Sequence, residues 1–150
     1  MINTETQRHR EVQEKDELGE EKQELNDGLY ADLTREIIGA AIEVHRHLGP
    51  GLFEHAYAEC LCHELRLRGI PFIREVDLPI SYKGIRLDWA YRADLIVDGK
   101  VIVELKAADG PVGVHEAQLL TYLRASRERV GLLINFSARV LRDGILRRVL

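Results

Sequence analysis

Two apolar runs joined by a turn dipeptide occupy residues 93–106, which read ADLIVDGKVIVELK. The dipeptide Asp98-Gly99 favours the turn of a β-hairpin, so the stretch predicts two strands, about 90–97 and 100–107. Charged side chains are unusual in such apolar strands, because desolvating an ion costs several kcal/mol unless it is paired. The charged residues of this hairpin are therefore the first candidates for a functional site.

Three of these charges are Asp94, Glu104 and Lys106. Glu104 and Lys106 are two residues apart on a strand and so share one face of the sheet. Asp94 reaches that face only if the hairpin loop has an odd number of residues, for example three with Gly99 in a left-handed position. A two-residue turn would instead place Asp94 opposite Val103. The sequence leaves both registers open, and the register tests the site.

Two acids beside a lysine suit metal-assisted hydrolysis of a phosphodiester. Carboxylate oxygens hold a magnesium ion that keeps several waters, and the lysine lowers the pKa of the attacking water or steadies the charge on the phosphate. The ordinary interpretation is a Glu-Lys pair on a sheet surface, because charged pairs on strands are common. Spacing alone favours this second interpretation.

Helical periodicity marks the chain before and after the hairpin. Apolar residues at helical spacing predict a helix over 31–48, ended by Gly49-Pro50-Gly51, and a second helix over 52–68, in which every fourth residue from Phe53 faces the core. A third helix is predicted over about 115–127, after a break at Gly110-Pro111.

Short strands complete the prediction. They are expected at 72–76, 80–82 and 85–87, separated by Pro79 and Lys83-Gly84, and a buried strand is expected at 130–136. The order of elements predicts an α/β fold: a central mixed sheet of four or five strands, with the first two helices on one side and the third on the other.

Charge is distributed unevenly along the 150 residues. Residues 1–29 carry nine acidic and four basic residues, which predicts a flexible acidic N-terminal tail. Residues 30–150 carry 16 acidic and 17 basic residues and are expected to form one domain. The near-neutral domain neither supports nor forbids a polyanionic partner. No signal peptide or membrane span is predicted, so a soluble cytoplasmic protein with no membrane partner is expected.

Four motifs carry a resemblance to a known superfamily. Asp94 with Glu104-Leu105-Lys106 resembles the Asp…Glu-X-Lys signature of the PD-(D/E)XK nuclease superfamily, with Ala93 where the name implies proline. Gln118 and Tyr122 resemble the Gln-X-X-X-Tyr motif of its RecB-type and lambda-exonuclease-type branch. Residues 51–57, GLFEHAY, match the Gly-X-X-Glu-X-X-Tyr signature of the GxxExxY protein family, which is placed in that superfamily. The similarity runs from about Leu33 to Leu150.

The resemblance implies a restriction-endonuclease-like core in residues 30–150 and a nuclease that acts on DNA or RNA with Mg²⁺ or Mn²⁺. It implies that Asp94, Glu104 and Glu54 bind the metal, directly or through water, and that Lys106 orients or deprotonates water. It also implies that Gln118 and Tyr122, which share one helix face, position the substrate. Without the resemblance, Glu54 simply favours the positive end of a helix, and the pair is an exposed glutamine and a half-buried tyrosine.

Two rival functions stay open. The first is a non-cleaving module that binds nucleic acid or protein and keeps the nuclease fold; the near-neutral domain favours it, because nucleases usually grip the phosphate backbone with several basic residues. The intact Asp94, Glu104 and Lys106 argue against it. The second is a subunit whose basic groove a partner completes, so a homo-oligomer or a partner protein also stays open.

Overall fold

The computed structural model of the chain describes residues 28–109 and 112–150. The predicted acidic tail, apart from its last two residues, lies outside the described residues, and so does the predicted break at Gly110-Pro111. The described helices include none that is long and apolar enough to cross a membrane.

Helices flank a run of strands in the order that the sequence predicts. The elements are α1 (Ala31–Leu48), α2 (Glu54–Leu67), β1 (Phe72–Tyr82), β2 (Ile85–Val97), β3 (Val101–Lys106), α3 (Val112–Ser126), β4 (Val130–Asn135), a short 3-10 helix (Leu141–Gly144) and β5 (Ile145–Val149).

One mixed sheet holds the described strands together in the order β1-β2-β3-β4-β5. β3 and β4 run parallel, and the other neighbouring pairs run antiparallel. The predicted α/β fold with a central mixed sheet is confirmed. β5 has no counterpart in the prediction, because two consecutive arginines, Arg147 and Arg148, interrupt its apolar pattern.

The predicted set of short strands around Pro79 is wrong. β1 and β2 are continuous strands of 11 and 13 residues, joined at Lys83-Gly84, whose left-handed φ angles of 43° and 88° make a tight turn. Pro79 lies inside β1, where the register shifts between the pairs Leu78–Tyr91 and Ile80–Leu87. Because proline has no N–H for the ladder, the strand continues through a bulge there.

The hairpin between β2 and β3 has the three-residue loop. Val97 pairs with Val101 and Leu95 with Val103, so residues 98–100 form the loop. Asp98 and Gly99 both adopt left-handed φ angles, 51° and 61°. The next pair in this register is Asp94 with Glu104. The metal-site interpretation requires this register.

The helices cover opposite faces of the sheet. On one face, Leu119 of α3 packs so closely over Gly131 of β4 that a Cβ there would lie 2.7 Å from the Leu119 Cδ1. On the other face, Ala58 of α2 lies beside Leu95 and Leu105. Leu105 follows Glu104 on β3, so the two side chains point to opposite faces of the sheet. α2 and α3 therefore lie on opposite sides of the sheet, as predicted.

One of the residues predicted to face the core from α2 lies outside the core. Phe53 is 88% exposed, because it precedes the first turn of α2 with an extended backbone and so does not continue the helical periodicity. The rest of these residues are buried, and Tyr57 stacks on Phe136 with ring centroids 4.4 Å apart.

Candidate active site

Two carboxylates lie where the pairing of β2 with β3 ends. The ladder reaches Leu95–Val103. Beyond it, the backbone N–H of Asp94 donates to Oε1 of Glu104 at 3.0 Å, and the backbone N–H of Leu105 donates to Oδ2 of Asp94 at 2.8 Å. Each acid thus holds the backbone of the opposite strand, which fixes both carboxylates at one point.

Burial makes the Glu104 carboxylate electrostatically unusual. Its side chain is buried, and burial, reinforced by the charge of Asp94, raises the pKa of Glu104 to about 8. The bond from the Asp94 N–H and the positive charge of Lys106 lower that pKa and offset part of the rise. A negative charge on Glu104 therefore lacks full compensation, although Lys106 lies within electrostatic reach.

Glu54 lies at the first position of α2, and its side chain lies at the same cavity as Asp94. It lines a cavity of about 270 Å³ together with Asp94 and Leu105. Burial, and secondly the charge of Asp94, raise the pKa of Glu54, while Lys106 lowers it. The sequence-predicted set of Glu54, Asp94, Glu104 and Lys106 is therefore electrostatically connected.

Tyr57 holds the loop that presents Glu54. Its hydroxyl donates a short hydrogen bond to the Gly49 carbonyl and accepts one from the Leu52 N–H at 3.2 Å. Gly51, with φ at 106°, allows the chain to turn between them. The loop is thereby tied to the helix that begins at Glu54.

Gln118 and Tyr122 border the carboxylates from the α3 side. The Gln118 amide donates to the Tyr122 hydroxyl at 2.9 Å. Burial, followed by the charges of Glu104 and Asp94, raises the pKa of Tyr122 to about 12. The hydroxyl therefore stays protonated at neutral pH, as a donor beside the two acids.

The cavity also contains three residues to which the sequence analysis assigned no role: His55, Arg74 and Glu75. Extending the register of the Lys83-Gly84 turn along the hairpin would place Glu75 opposite Arg92. The bulge at Pro79 shifts the register by two, so that the neighbours of Glu75 pair with those of Asp94. No sequence signal gives the size of that shift.

The donor set fits a hard divalent cation. Among the described residues, no group of three or more His, Cys, Asp and Glu side chains is arranged as a metal cage. Mg²⁺ is usually held by one or two carboxylates and keeps several waters. The bonds to the backbone occupy one oxygen each of Asp94 and Glu104, and the two carboxyl groups also interact with each other. Asp94 and Glu54 line the cavity itself. A cation there would also compensate the buried charge.

The sequence of the chain matches the model of one protein family. The model described as the PD-(D/E)XK nuclease superfamily matches residues 31–149, from the start of α1 to the end of β5. No curated protein and no solved structure matches the chain.

Proposed function

Because the chain belongs to the PD-(D/E)XK nuclease superfamily, we propose that it is a divalent-metal-dependent nuclease. The reaction is hydrolysis of a phosphodiester in DNA or RNA, with Mg²⁺ or Mn²⁺ held by Asp94 and Glu104. The reciprocal hydrogen bonds between these acids and the opposite strands carry the proposal, because they bring the separated parts of one signature to a single point.

Each residue has a role that follows from its position. A bound cation supplies charge neutralisation at the phosphate and lowers the pKa of a bound water. Asp94 and Glu104 provide its protein oxygens, and Glu54 reaches it directly or through water from across the cavity. Lys106, which interacts electrostatically with Glu54 and Glu104, orients or deprotonates the attacking water.

Gln118 and Tyr122 position the substrate. Since Tyr122 stays protonated, its hydroxyl is a hydrogen-bond donor at neutral pH, and donors are the groups that phosphate oxygens accept. The bond from Gln118 fixes the orientation of that hydroxyl. These two residues act on binding and orientation rather than on proton transfer.

We also assign the chain to the GxxExxY family within the superfamily and to its RecB-type branch. The assignment to the GxxExxY family is supported by the roles of its three motif positions. Gly51 turns the chain, Glu54 lines the cavity, and Tyr57 ties the loop to α2. The support for the RecB-type branch is the bonded pair of Gln118 and Tyr122 beside the acids.

Cleavage assays test the function. The full chain is incubated with labelled single- and double-stranded DNA and RNA in Mn²⁺, Mg²⁺ or EDTA, beside Lys106→Ala and the matched surface variant Lys100→Ala. We expect metal-dependent cutting by the wild type and by Lys100→Ala, with cutting by Lys106→Ala slower by at least about a hundredfold. Full activity of folded Lys106→Ala would overturn the mechanism.

The second candidate is a non-cleaving module with the same fold, which binds nucleic acid or protein. The balance of 16 acidic and 17 basic residues over 30–150 favours it, since phosphate grips are usually basic. Stabilisation by Mn²⁺ without cutting of any substrate would select this candidate. Cutting that requires a co-purifying protein would instead show that a partner completes the site.

A further inference from the structure

The outer half of the β1–β2 hairpin extends beyond the rest of the sheet. β2 pairs with β1 from Ile85 to Val97, but with β3 only from Leu95 to Val97. The distal part of this hairpin, residues 79–91, is defined here as the arm. The arm is two strands wide and begins immediately before the carboxylates of the candidate site.

The arm carries large apolar side chains that are exposed to solvent and do not pack in the core. Trp89 is 77% exposed, and Tyr82 and Ile85 at the tip are also exposed. Trp89 lies in the stretch of β2 that bulges opposite Pro79, where three residues of β2 face one of β1. A bulge redirects side chains locally, and here a flat indole is left in solvent. Exposed indole rings are typical of surfaces that bind a partner.

A groove connects the arm with α3. It has a volume of about 350 Å³ and is lined by Pro79, Ile80, Ser81, Tyr91, Thr121, Arg124 and Ala125. The Tyr91 ring contacts the ring of Tyr122 edge to face, with centroids 5.2 Å apart. The groove therefore leads from the tyrosine beside the carboxylates out to the arm.

Positive side chains are exposed at the groove and at the tip of the arm. Arg124 is exposed, and it has no carboxylate at ion-pair distance within the described part of the chain. Lys83 at the tip lies over the Tyr82 ring at 5.4 Å. Arg86 is neutralised by Asp88 at 2.5 Å. The groove thus offers one unpaired guanidinium at its wall, and the tip of the arm carries an ammonium; both charges are complementary to a phosphate backbone.

From this arrangement we propose that the arm and the groove bind unpaired nucleic acid, with a base stacked on Trp89 and a phosphate on Arg124. Stacking requires a free base face, and duplex bases present only their edges to a protein. The inference rests on the proposed nuclease function and specifies its substrate class: a strand that is single-stranded where it leaves the site. Ribose and deoxyribose strands share this chemistry.

The chain is suited to a direct test, because Trp89 is its only tryptophan. The full chain is titrated in EDTA with end-labelled dT20, U20 and a 20-base-pair duplex, while anisotropy reports binding and indole emission reports stacking. We expect both single strands to bind and to quench the emission. We expect the duplex to bind more weakly and to leave the emission unchanged. The comparison of dT20 with U20 distinguishes the two sources of the strand.

Variants separate the two contacts. Trp89→Ala should weaken binding of the single strands by between about fivefold and a hundredfold, and Trp89→Phe should recover most of that loss. Arg124→Ala should reduce the slope of log affinity against log salt concentration by about 0.7, the value for one phosphate contact on a single strand. Ile73→Ala, another exposed apolar residue, and Arg35→Ala, an arginine on α1, are the matched controls and should bind as the wild type does.

The outcomes keep this inference apart from the nuclease proposal. Unquenched emission at saturation, unchanged affinity of Trp89→Ala, or no binding of any strand would overturn the inference. Metal-dependent cutting of duplex alone, with no effect of the Trp89 and Arg124 substitutions, would overturn it while the nuclease function stands. Quenching and binding without cutting by the wild type would support the arm and refute the nuclease.

Discussion

The buried Glu104 carboxylate predicts that the metal-free protein loses stability as pH rises. With a pKa of about 8 in the folded chain and an ordinary value of 4.5 when unfolded, Glu104 keeps a proton on folding that the unfolded chain has released. Stability falls with pH wherever the folded state binds more protons. Its contribution is therefore present below pH 4.5 and is lost as pH rises towards 8.

The size of the effect follows from the same two values. Each unit of displaced pKa is worth about 1.4 kcal/mol, and most of the displacement lies between pH 5 and pH 8. The free energy of unfolding should therefore fall by about 3 kcal/mol over that range through Glu104 alone. Glu104→Gln is the matched control, because its amide oxygen can accept the Asp94 N–H bond without titrating.

Urea unfolding of both proteins in EDTA at several pH values measures this term. Other titrating groups are common to the two chains, so the difference between their unfolding free energies isolates Glu104. We expect the variant to gain on the wild type with rising pH, and we expect Mn²⁺ to stabilise the wild type more than the variant. A difference that stays flat between pH 5 and pH 8 would refute the argument from burial.

Two further perturbations test how the site is supported. Gly131→Ala should cost about 1–3 kcal/mol in urea unfolding, because the new Cβ meets the Leu119 side chain. Adding Leu119→Ala should cost less than the sum of the single changes, and strict additivity would contradict the contact. Tyr57→Phe removes the hydroxyl bonds to the Gly49–Leu52 loop and should cost about 1–3 kcal/mol, measured in the same way, with the helical circular dichroism retained. An unchanged midpoint would show that the loop does not depend on them.

Local signals in the sequence predicted most of the fold. The bounds of α1 coincide with the prediction, because its apolar spacing and the following Gly49-Pro50-Gly51 are both local. The hairpin of β2 and β3 was predicted from Asp98-Gly99, although the loop length that brings Asp94 to Glu104 had to be read from the structure.

Features that depend on tertiary contacts escaped prediction. The strand β5 pairs with β4 although Arg147 and Arg148 break its apolar pattern, because pairing with a buried neighbour outweighs its own sequence. The continuity of β1 through Pro79 depends on a bulge, which composition does not reveal. For the same reason Glu75 and Arg74 were not expected at the cavity.

The sequence proposed residues for the candidate site but did not predict the hydrogen bonds between them. The spacing suggested that Glu104 and Lys106 share a face, and the resemblance added Glu54 and the pair Gln118 and Tyr122. The assignment of roles to these residues stays a prediction. That each acid binds the opposite backbone is a property of the folded hairpin, since both bonds join residues ten or more positions apart.

The reciprocal hydrogen bonds of Asp94 and Glu104 also affect which substitutions this chain can accept during evolution. Replacing Asp94 with an apolar residue leaves the Leu105 N–H without its acceptor, and replacing Glu104 does the same to the Asp94 N–H, so either change weakens strand pairing as well as chemistry. Lys106 takes part in neither bond. Descendants that abandon cleavage would therefore lose the lysine first and keep both acids for structural reasons, which makes position 106 the more informative marker of a working enzyme.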